Sequence, residues 1–181
     1  EDMIECVNAF YEVMVQRSEE MKHHPDYKTG ENYAYLGLPP CFLIFDEYVA
    51  FLEMLGTKES MSLLSQLKKI VMLGRQAGYF LIVACQRPDA KYFSDGIRDN
   101  FNFRVGLGRI SELGYGMLFG SDVKKQFFQK RIKGRGYCDV GTSVISEFYT
   151  PLVPKGHDFL QTIGSLALAR QAVPEKQKEI E

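Results

Sequence analysis

Two unbroken runs of apolar residues constrain the fold of this chain more than any other feature. The first covers residues 41–45 (Cys-Phe-Leu-Ile-Phe) and the second covers residues 79–85 (Tyr-Phe-Leu-Ile-Val-Ala-Cys). Runs without polar alternation suit strands that are buried on both faces, as in a parallel sheet. Because a helical pattern lies between them, the two runs form a βαβ unit with a right-handed crossover. The sequence therefore predicts an α/β fold.

The rest of the chain alternates between helical and strand patterns. Apolar spacing predicts helices at 1–22, 48–55, 59–77, 94–101, 111–119 and 158–172. A third strand is predicted at 103–107, and strands at 137–140 and 144–149 flank a Gly-Thr-Ser turn as an antiparallel hairpin at the sheet edge. In the helix at 59–77, one face is predicted to carry Met61, Leu64, Leu67, Ile70 and Val71.

Composition places the chain among globular domains and excludes several classes. A length of 181 residues suits one domain with a real core, and a net charge of −1 excludes a globally basic nucleic-acid binder. The four cysteines form no C-x-x-C pair, which favours a reducing compartment over a disulfide scaffold. No apolar run approaches the roughly 20 residues that cross a bilayer. The chain begins at Glu1, without methionine and inside a helical pattern, so we expect a fragment of a longer protein.

Polar side chains follow both apolar runs. Asp46 and Glu47 come directly after the first strand, and Gln86 follows the second. Open α/β sheets bind ligands at the carboxyl ends of their strands. In a nucleotide-hydrolysing motor the first acid holds Mg²⁺, the second polarises the attacking water, and an amide can contact the γ-phosphate. Alternatively, the acids cap the following helix and the glutamine satisfies a loop backbone.

Four segments, in this order and spacing, resemble the FtsK/SpoIIIE family of DNA-pumping ATPases. They are Cys-Phe-Leu-Ile-Phe-Asp-Glu (41–47), Gly-Arg-Gln-Ala-Gly-Tyr (74–79), Ala-Cys-Gln-Arg-Pro (84–88) and Asn-Phe-Asn-Phe-Arg-Val (100–105). The stretch from Gly-Arg-Gly-Tyr (134–137) to Pro-Lys-Gly-His (154–157) is most similar to coupling proteins of Gram-positive conjugative elements. The resemblance implies the C-terminal portion of a RecA-like P-loop NTPase motor domain over residues 1–157. Its sheet would be mostly parallel and flanked by helices, with a C-terminal helix and frayed tail at 158–181.

The resemblance also implies roles for individual residues. Asp46 matches the Walker B aspartate that supports Mg²⁺, Glu47 the catalytic glutamate, and Gln86 the sensor glutamine of an A-T-Q-R-P motif. Cys85 stands where the family usually has threonine, so a hydroxyl contact made by that threonine would be missing.

Arginines supply a second expected contribution to the site. Arg104 matches the arginine that the family presents to a neighbouring subunit's nucleotide, a role suited to a planar, permanently charged group. Arg75 and Arg87 are reserve candidates for this role, and structural salt bridges are the alternative for both.

One element of the family is missing from these residues. The 181 residues contain no G-x-x-x-x-G-K-[ST] phosphate-binding loop, which the resemblance places upstream of the helix at 1–22. ATP and Mg²⁺ are therefore expected cofactors of the intact protein, and the isolated chain is expected to hydrolyse no ATP. Without the P-loop strand the sheet would expose an edge, so a swapped or edge-paired dimer is a further expectation.

A basic run supplies the expected contact with double-stranded DNA. Residues 123–138 contain no acid, and six cations occur within twelve residues. Such a run is typical of a surface that binds the phosphate backbone, although a solvated face is the alternative. Its cations are Lys124, Lys125, Lys130, Arg131, Lys133 and Arg135.

Together these features predict an ATP-dependent double-stranded DNA translocase that acts in conjugation as a homo-hexamer. The resemblance implies a cytoplasmic domain of a membrane-anchored bacterial protein, with membrane or secretion-channel partners contacted by other regions. Two alternatives share the fold: a type VII secretion-like ATPase that moves protein, and a non-catalytic assembly scaffold.

Overall fold

Helices and strands follow one another in the described part of the chain largely as the sequence predicts. The structure, a computed structural model, describes residues 2–89, 91–93, 95–121, 123, 127, 132–142 and 144–171. One compact unit extends to Phe148, and Tyr149–Glu181 forms a second. The helices are α1 (Asp2–Lys22), α2 (Tyr48–Met54), α3 (Thr57–Ala77), α4 (Asp95–Arg98), α5 (Glu112–Phe119) and α6 (Phe159–Gln171). The strands are β1 (Cys41–Phe45), β2 (Tyr79–Val83), β3 (Arg104–Leu107), β4 (Arg135–Asp139) and β5 (Ile145–Tyr149).

The two apolar runs form a parallel pair of strands. β1 and β2 are hydrogen-bonded neighbours in a register that sets Cys41 opposite Tyr79 and Phe45 opposite Val83. β2 ends two residues earlier than predicted, because the backbone of Ala84 already turns toward α2. Its N–H donates to the carbonyl of Phe45 (2.9 Å), and its carbonyl accepts the N–H of Tyr48 (3.1 Å). The predicted βαβ unit is confirmed.

Two long helices, α1 and α3, pack together and bury the main core with this sheet. The buried face of α3 is rotated from the predicted one, since Met61 is 66% exposed. Gly74 and Ala77 belong to the buried face instead, and a hydrophobicity pattern passes over such small residues. The buried residues of the two helices are Val7, Met14, Met21, Leu63, Leu67, Ile70, Gly74 and Ala77.

The remaining strands form a second, three-stranded sheet in the order β3-β4-β5. β3 pairs with β4 antiparallel, with Arg104 opposite Asp139 and Leu107 opposite Gly136. The predicted hairpin strands β4 and β5 are thus neighbours, but they extend β3 in a separate sheet, whereas the sequence predicted an edge of the parallel sheet. A carboxylate oxygen of Glu147 on β5 lies 2.6 Å from Nε of the buried Arg135 on β4, which ties these two strands together.

An aromatic cluster forms the small core of this second sheet. Tyr115 and Phe119 of α5 stack with Phe127, and the Tyr115 and Phe127 rings lie 3.9 Å apart. Tyr137 of β4 meets both Tyr115 and Phe127 edge-on. Burial raises the pKa of the Tyr115 hydroxyl, as expected for a phenol removed from water.

In the second unit, Asp158 begins the helix α6. Its carboxylate accepts the N–H of Gln161 (3.0 Å), and its carbonyl accepts the hydroxyl of Thr162 (2.9 Å). This is the side-chain arrangement expected at a helix start. No helix within the described ranges combines the length and the apolar character needed to span a membrane.

Gly74 provides a test of the close contact between α3 and β2. A Cβ atom at this position would lie 2.2 Å from the backbone carbonyl oxygen of Tyr79, so Gly74→Ala forces the helix away from the strand. We expect a loss of about 1–3 kcal/mol in the free energy of unfolding, measured by urea denaturation. The control is Gly116→Ala in α5, where a Cβ atom meets nothing within 4 Å. This variant should gain about 0.5–1 kcal/mol. If Gly74→Ala and Gly116→Ala had equal free energies of unfolding, the close contact between Gly74 and the Tyr79 carbonyl would be contradicted.

Candidate functional site

The candidate site lies at the carboxyl ends of β1 and β2. Because the two strands are parallel and set Phe45 opposite Val83, the residues that follow them leave the sheet at the same edge. Asp46 and Glu47 follow β1, and Gln86 follows β2 after two further residues. All three side chains are exposed. The predicted convergence of the acids and the amide on one edge is therefore present in the structure.

The two acids do not cap α2 with their side chains. Glu47 is the residue before the helix, and its side chain makes no capping hydrogen bond. The Oδ1 atom of Asp46 accepts the N–H of Glu47 itself (2.9 Å), a bond between adjacent residues. The helix-cap alternative is thus not what the structure shows. Both carboxylates stay exposed at the edge of the sheet, where a ligand can reach them.

The backbone of Glu47 adopts a left-handed conformation, with φ of 50° and ψ of 36°. Among the described residues it is the one non-glycine residue with a positive φ. A residue with a Cβ atom pays roughly 1–2 kcal/mol for this conformation. Such strain persists where the surroundings impose it, and it concentrates at functional sites. Here it turns the chain sharply between the end of β1 and the start of α2.

Two buried or half-buried groups, Tyr48 and Cys85, lie near the acids at the ends of β1 and β2. Tyr48 is 1% exposed, and its hydroxyl donates to the backbone carbonyl of Tyr92 (3.2 Å), which joins the start of α2 to the segment after β2. Burial raises the pKa of the Tyr48 hydroxyl, so it stays a neutral donor. Burial, together with the nearby Glu47 carboxylate, also raises the pKa of the half-buried Cys85 thiol. Sequence reasoning missed Tyr48 and Tyr92, and no local pattern marks the bond between them.

The donors at this edge fit a magnesium ion that is shared with a phosphate. Mg²⁺ is usually held by one or two carboxylates, with waters and substrate oxygens completing the shell. The exposed Asp46 carboxylate offers such a ligand. No cluster of three or more His, Cys, Asp or Glu side chains occurs in the part of the chain that the structure describes, so a metal cage made of those side chains is not formed there.

The predicted arginines lie at three different places. Arg104 begins β3 in the second sheet, and its half-buried guanidinium donates to the carbonyls of Phe101 (Nε, 2.9 Å) and Leu118 (Nη1, 3.4 Å). Arg87 is exposed directly after Gln86, at the same edge as the acids. Arg75 is exposed near the end of α3, at the amino ends of the strands and thus at the opposite edge. The structure therefore brings only Arg87 to the acids and amide.

The basic run is only partly described. Lys124, Lys125, Lys130 and Arg131 lie outside the described residues, and Lys133 is exposed. The expectation for Arg135 needs correction, because this side chain is 7% exposed and paired with Glu147 (2.6 Å). Its Nη2 also donates to the hydroxyl of Tyr137 (3.2 Å). A charge buried among its own partners stabilises the second sheet and is not offered to a phosphate backbone.

The fold is that of FtsK-like P-loop ATPase motor domains. The pCW3 conjugation coupling protein TcpA, solved in a monomer form with ATPgS, has a TM-score of 0.65 at 17% identity over 91% of this chain and 49% of its own. The cytoplasmic domain of the Thermomonospora curvata type VII secretion ATPase EccC has a TM-score of 0.61 at 20% identity, covering 87% of this chain and 19% of its own. EssC (ATPases 2 and 3) of Geobacillus thermodenitrificans has a TM-score of 0.55 at 15% identity, covering 99% and 32%.

Sequence similarity identifies the family. The FtsK domain-containing protein YdcQ of Bacillus subtilis (strain 168) is 58% identical over 158 residues, which cover 87% of this chain. The chain therefore belongs to the FtsK-domain family. It spans 33% of the length of that relative. No family model matches the sequence.

The strain at Glu47 predicts an unusual order of stabilities. Glycine adopts positive φ freely, whereas alanine keeps the Cβ atom that makes the conformation costly. We expect the free energy of unfolding in urea to be roughly 0.5–1 kcal/mol higher for Glu47→Gly than for Glu47→Ala. Glycine relieves the backbone strain, but part of this gain is lost because glycine also raises the entropy of the unfolded chain. Equal stability of the two variants, or a more stable alanine variant, would mean that the left-handed turn is unstrained.

The environment of Cys85 predicts a pH-dependent reactivity. Because burial and Glu47 raise the pKa of its thiol, the reactive thiolate forms only above the usual range, and alkylation should need a higher pH than at the exposed Cys6. Glu47→Gln removes the repelling charge, so the alkylation profile of Cys85 should move to lower pH while that of Cys6 stays in place. Peptide mass spectrometry after iodoacetamide pulses measures both sites together. An unmoved Cys85 profile would show that Glu47 does not act on the thiol.

Proposed function

We propose that this chain is the Walker B and sensor portion of an ATP-driven motor that translocates double-stranded DNA, as a conjugative coupling protein does. The observation that carries the proposal is the meeting of Asp46, Glu47 and Gln86 at one edge of two adjacent parallel strands. This is the edge at which open α/β sheets bind nucleotides. Phosphoryl transfer to water uses an acid that accepts the proton of the water and an amide that orients the water or the phosphate.

Each residue has a distinct task in this proposal. Asp46 holds Mg²⁺, which when bound neutralises charge on the phosphates. Glu47 orients a water and accepts its proton, and the rigid left-handed turn sets the direction of its side chain. Gln86 contacts the γ-phosphate or the water through its amide. Tyr48 joins the start of α2 to the segment after β2 through its hydrogen bond to the carbonyl of Tyr92, which holds this edge together.

The phosphate-binding loop is proposed to lie in another part of the longer protein. In the family the strand before this loop is a central neighbour in the sheet. The division of the described strands into a parallel pair and a separate three-stranded sheet supports this, because one absent central strand would leave such a division. The open face of the parallel pair, where Phe42 and Ile44 are 56% and 72% exposed, separately suggests that a further segment covers this face, since parallel sheets are normally covered on both faces.

The basic run favours DNA over protein as the translocated substrate. Without the buried Arg135, residues 124–133 still hold five cations and no acid, which is the charge that a phosphate backbone needs, and Lys133 among them is exposed. The structural relative TcpA is a conjugation coupling protein, whereas EccC is a type VII secretion ATPase, so the fold alone fits either cargo. A ring of six copies around the duplex is part of the proposal.

ATP turnover by the longer, P-loop-containing protein tests the catalytic assignment. Replacing the proton acceptor in Glu47→Gln should lower kcat by about 10²-fold or more while ATP binding persists. Glu12→Gln on the exposed face of α1 is the control and should keep full turnover. The 181-residue chain alone should hydrolyse no ATP. If this chain alone hydrolysed ATP, and Glu47→Gln abolished that activity, the proposal that the phosphate-binding loop lies in another part of the protein would be wrong.

Stimulation by DNA separates the two cargoes. Double-stranded DNA should raise the ATPase rate of the longer protein, and Lys130→Glu with Arg131→Glu should weaken both stimulation and affinity. The dependence of log affinity on log salt should lose about 0.9 per lost phosphate contact. An unchanged affinity and salt slope would remove DNA from the proposal and favour a polypeptide cargo.

A further inference from the structure

Tyr48 makes hydrogen bonds on both sides of the sensor segment (residues 85–91), which carries Gln86. Before this segment, the backbone N–H of Tyr48 donates to the carbonyl of Ala84 (3.1 Å). After it, the side-chain hydroxyl of Tyr48 donates to the carbonyl of Tyr92 (3.2 Å). Tyr48 also follows Glu47 directly and is the first residue of α2. One residue therefore connects the second acid of the candidate site to both ends of the segment that carries the amide.

The hydroxyl of Tyr48 is not needed to fill the core. The side chain is buried, and its ring packs edge-on against Phe45 (5.6 Å between centroids) and lies 5.0 Å from the ring of Phe93. A phenylalanine ring would fill the same space without a polar atom to bury. Burying a hydroxyl costs free energy unless it makes a hydrogen bond. The bond to Tyr92 is therefore what a tyrosine contributes at this position beyond packing.

The acceptor of this bond is held in place by a turn at Asp89. The carbonyl of Asp89 accepts the N–H groups of Tyr92 and Phe93 (both 3.0 Å). Its carboxylate accepts the N–H of Lys91 (2.9 Å). The carbonyl that Tyr48 binds therefore belongs to a backbone that other hydrogen bonds already order, so the bond from Tyr48 fixes the end of the sensor segment against α2.

The amide of Gln86 depends on this anchorage because its side chain is exposed. The position of an exposed side chain follows that of the backbone that carries it. A contact to a reacting group tolerates little displacement, since an error of about 1 Å can lower a rate by about 10²-fold. Holding both ends of the sensor segment on α2 thus controls how far the amide lies from Glu47 at the start of that helix.

We propose that the Tyr48 hydroxyl positions Gln86 relative to Glu47 by holding the sensor segment against α2. This inference rests on the proposed function, in which Gln86 and Glu47 act on one nucleotide. Tyr48 is buried and transfers no proton, so it is a positioning residue. Its loss should slow the chemical step and leave ATP binding to the phosphate-binding loop unchanged.

The test compares Tyr48→Phe with Tyr92→Phe in the longer, P-loop-containing protein. Tyr48→Phe removes the donor and should lower kcat for ATP hydrolysis by about 10- to 10²-fold, with KM for ATP nearly unchanged. Tyr92→Phe is the matched control: it removes the hydroxyl that bonds Glu53 and Lys91 but keeps the carbonyl that accepts the Tyr48 bond. Its kcat should stay close to that of the wild type. Both variants lose a hydroxyl from a buried ring, so similar small falls in melting temperature are expected and cannot explain a difference in kcat.

A double-variant cycle tests whether Tyr48 acts through Gln86. Gln86→Ala removes the amide and should itself lower kcat. If Tyr48 acts by placing that amide, adding Tyr48→Phe to Gln86→Ala should lower kcat little further. If the losses of the two single variants multiplied in the double variant, Tyr48 would act independently of Gln86, and the inference would be wrong.

The thiol of Cys85 reports the state of the sensor segment without ATP turnover. Cys85 is half-buried and directly precedes Gln86. Because release of the segment exposes this thiol, iodoacetamide at a fixed pH should alkylate Cys85 faster in Tyr48→Phe than in the wild type or in Tyr92→Phe. The exposed Cys6 should react at the same rate in all three proteins. Peptide mass spectrometry measures both sites together.

Three other results would overturn the inference. An unchanged kcat in Tyr48→Phe beside an active wild type would refute it and leave the proposed function intact. A lower kcat without faster alkylation of Cys85, or an equal loss of kcat in Tyr92→Phe, would mean that the Tyr48 hydroxyl does not act by holding the sensor segment. If the wild-type protein hydrolysed no ATP, the proposed function would be wrong, and the positioning role would fail with it whatever the alkylation rates.

Discussion

The hydrogen-bonded register between β1 and β2 is the constraint on which the rest of the structure depends. Setting Phe45 opposite Val83 brings the acids and the amide to the same edge of the sheet, and a shift of one residue would turn every side chain of one strand to the other face. The opposite ends of the strands are held by Arg17 of α1. Its guanidinium donates to the carbonyl of Pro39 (2.8 Å) and lies 4.7 Å from the ring centroid of Tyr79.

Packing of α3 against the strand pair β1 and β2 explains the spacing of the small residues before β2. Gly74 lets the helix approach the carbonyl of Tyr79, and Gly78 ends the helix with a φ of 80°. A Cβ atom at Gly78 would meet the ring of Tyr33 at 2.5 Å. The connection from helix to strand is therefore tight, and it fixes where β2 begins. Through the register it also fixes where Gln86 leaves the sheet.

Charge is used in two opposite ways in this chain. Arg17, Arg104 and Arg135 have partners within the protein and hold strands and helices together. Asp46 and Glu47 are exposed on a turn in which the Asp46 carboxylate accepts the N–H of Glu47. A buried pair such as that of Arg135 and Glu147 costs desolvation and is kept by its close geometry, whereas an exposed group is available to a ligand. A charged side chain thus holds the fold together or is open to a ligand according to its surroundings.

The sequence by itself determined the parallel strand pair and the edge at which the acids and the amide meet. Unbroken apolar runs and their order along the chain are local signals, and parallel pairing then leaves one arrangement of the strand ends. Only the tertiary structure decided the division into two sheets, the inward pairing of Arg104 and Arg135, and the left-handed turn at Glu47. The physical reason is distance along the chain. Arg104 contacts a carbonyl 14 residues away, and no local pattern of residue types records a bond that forms only when separate elements pack.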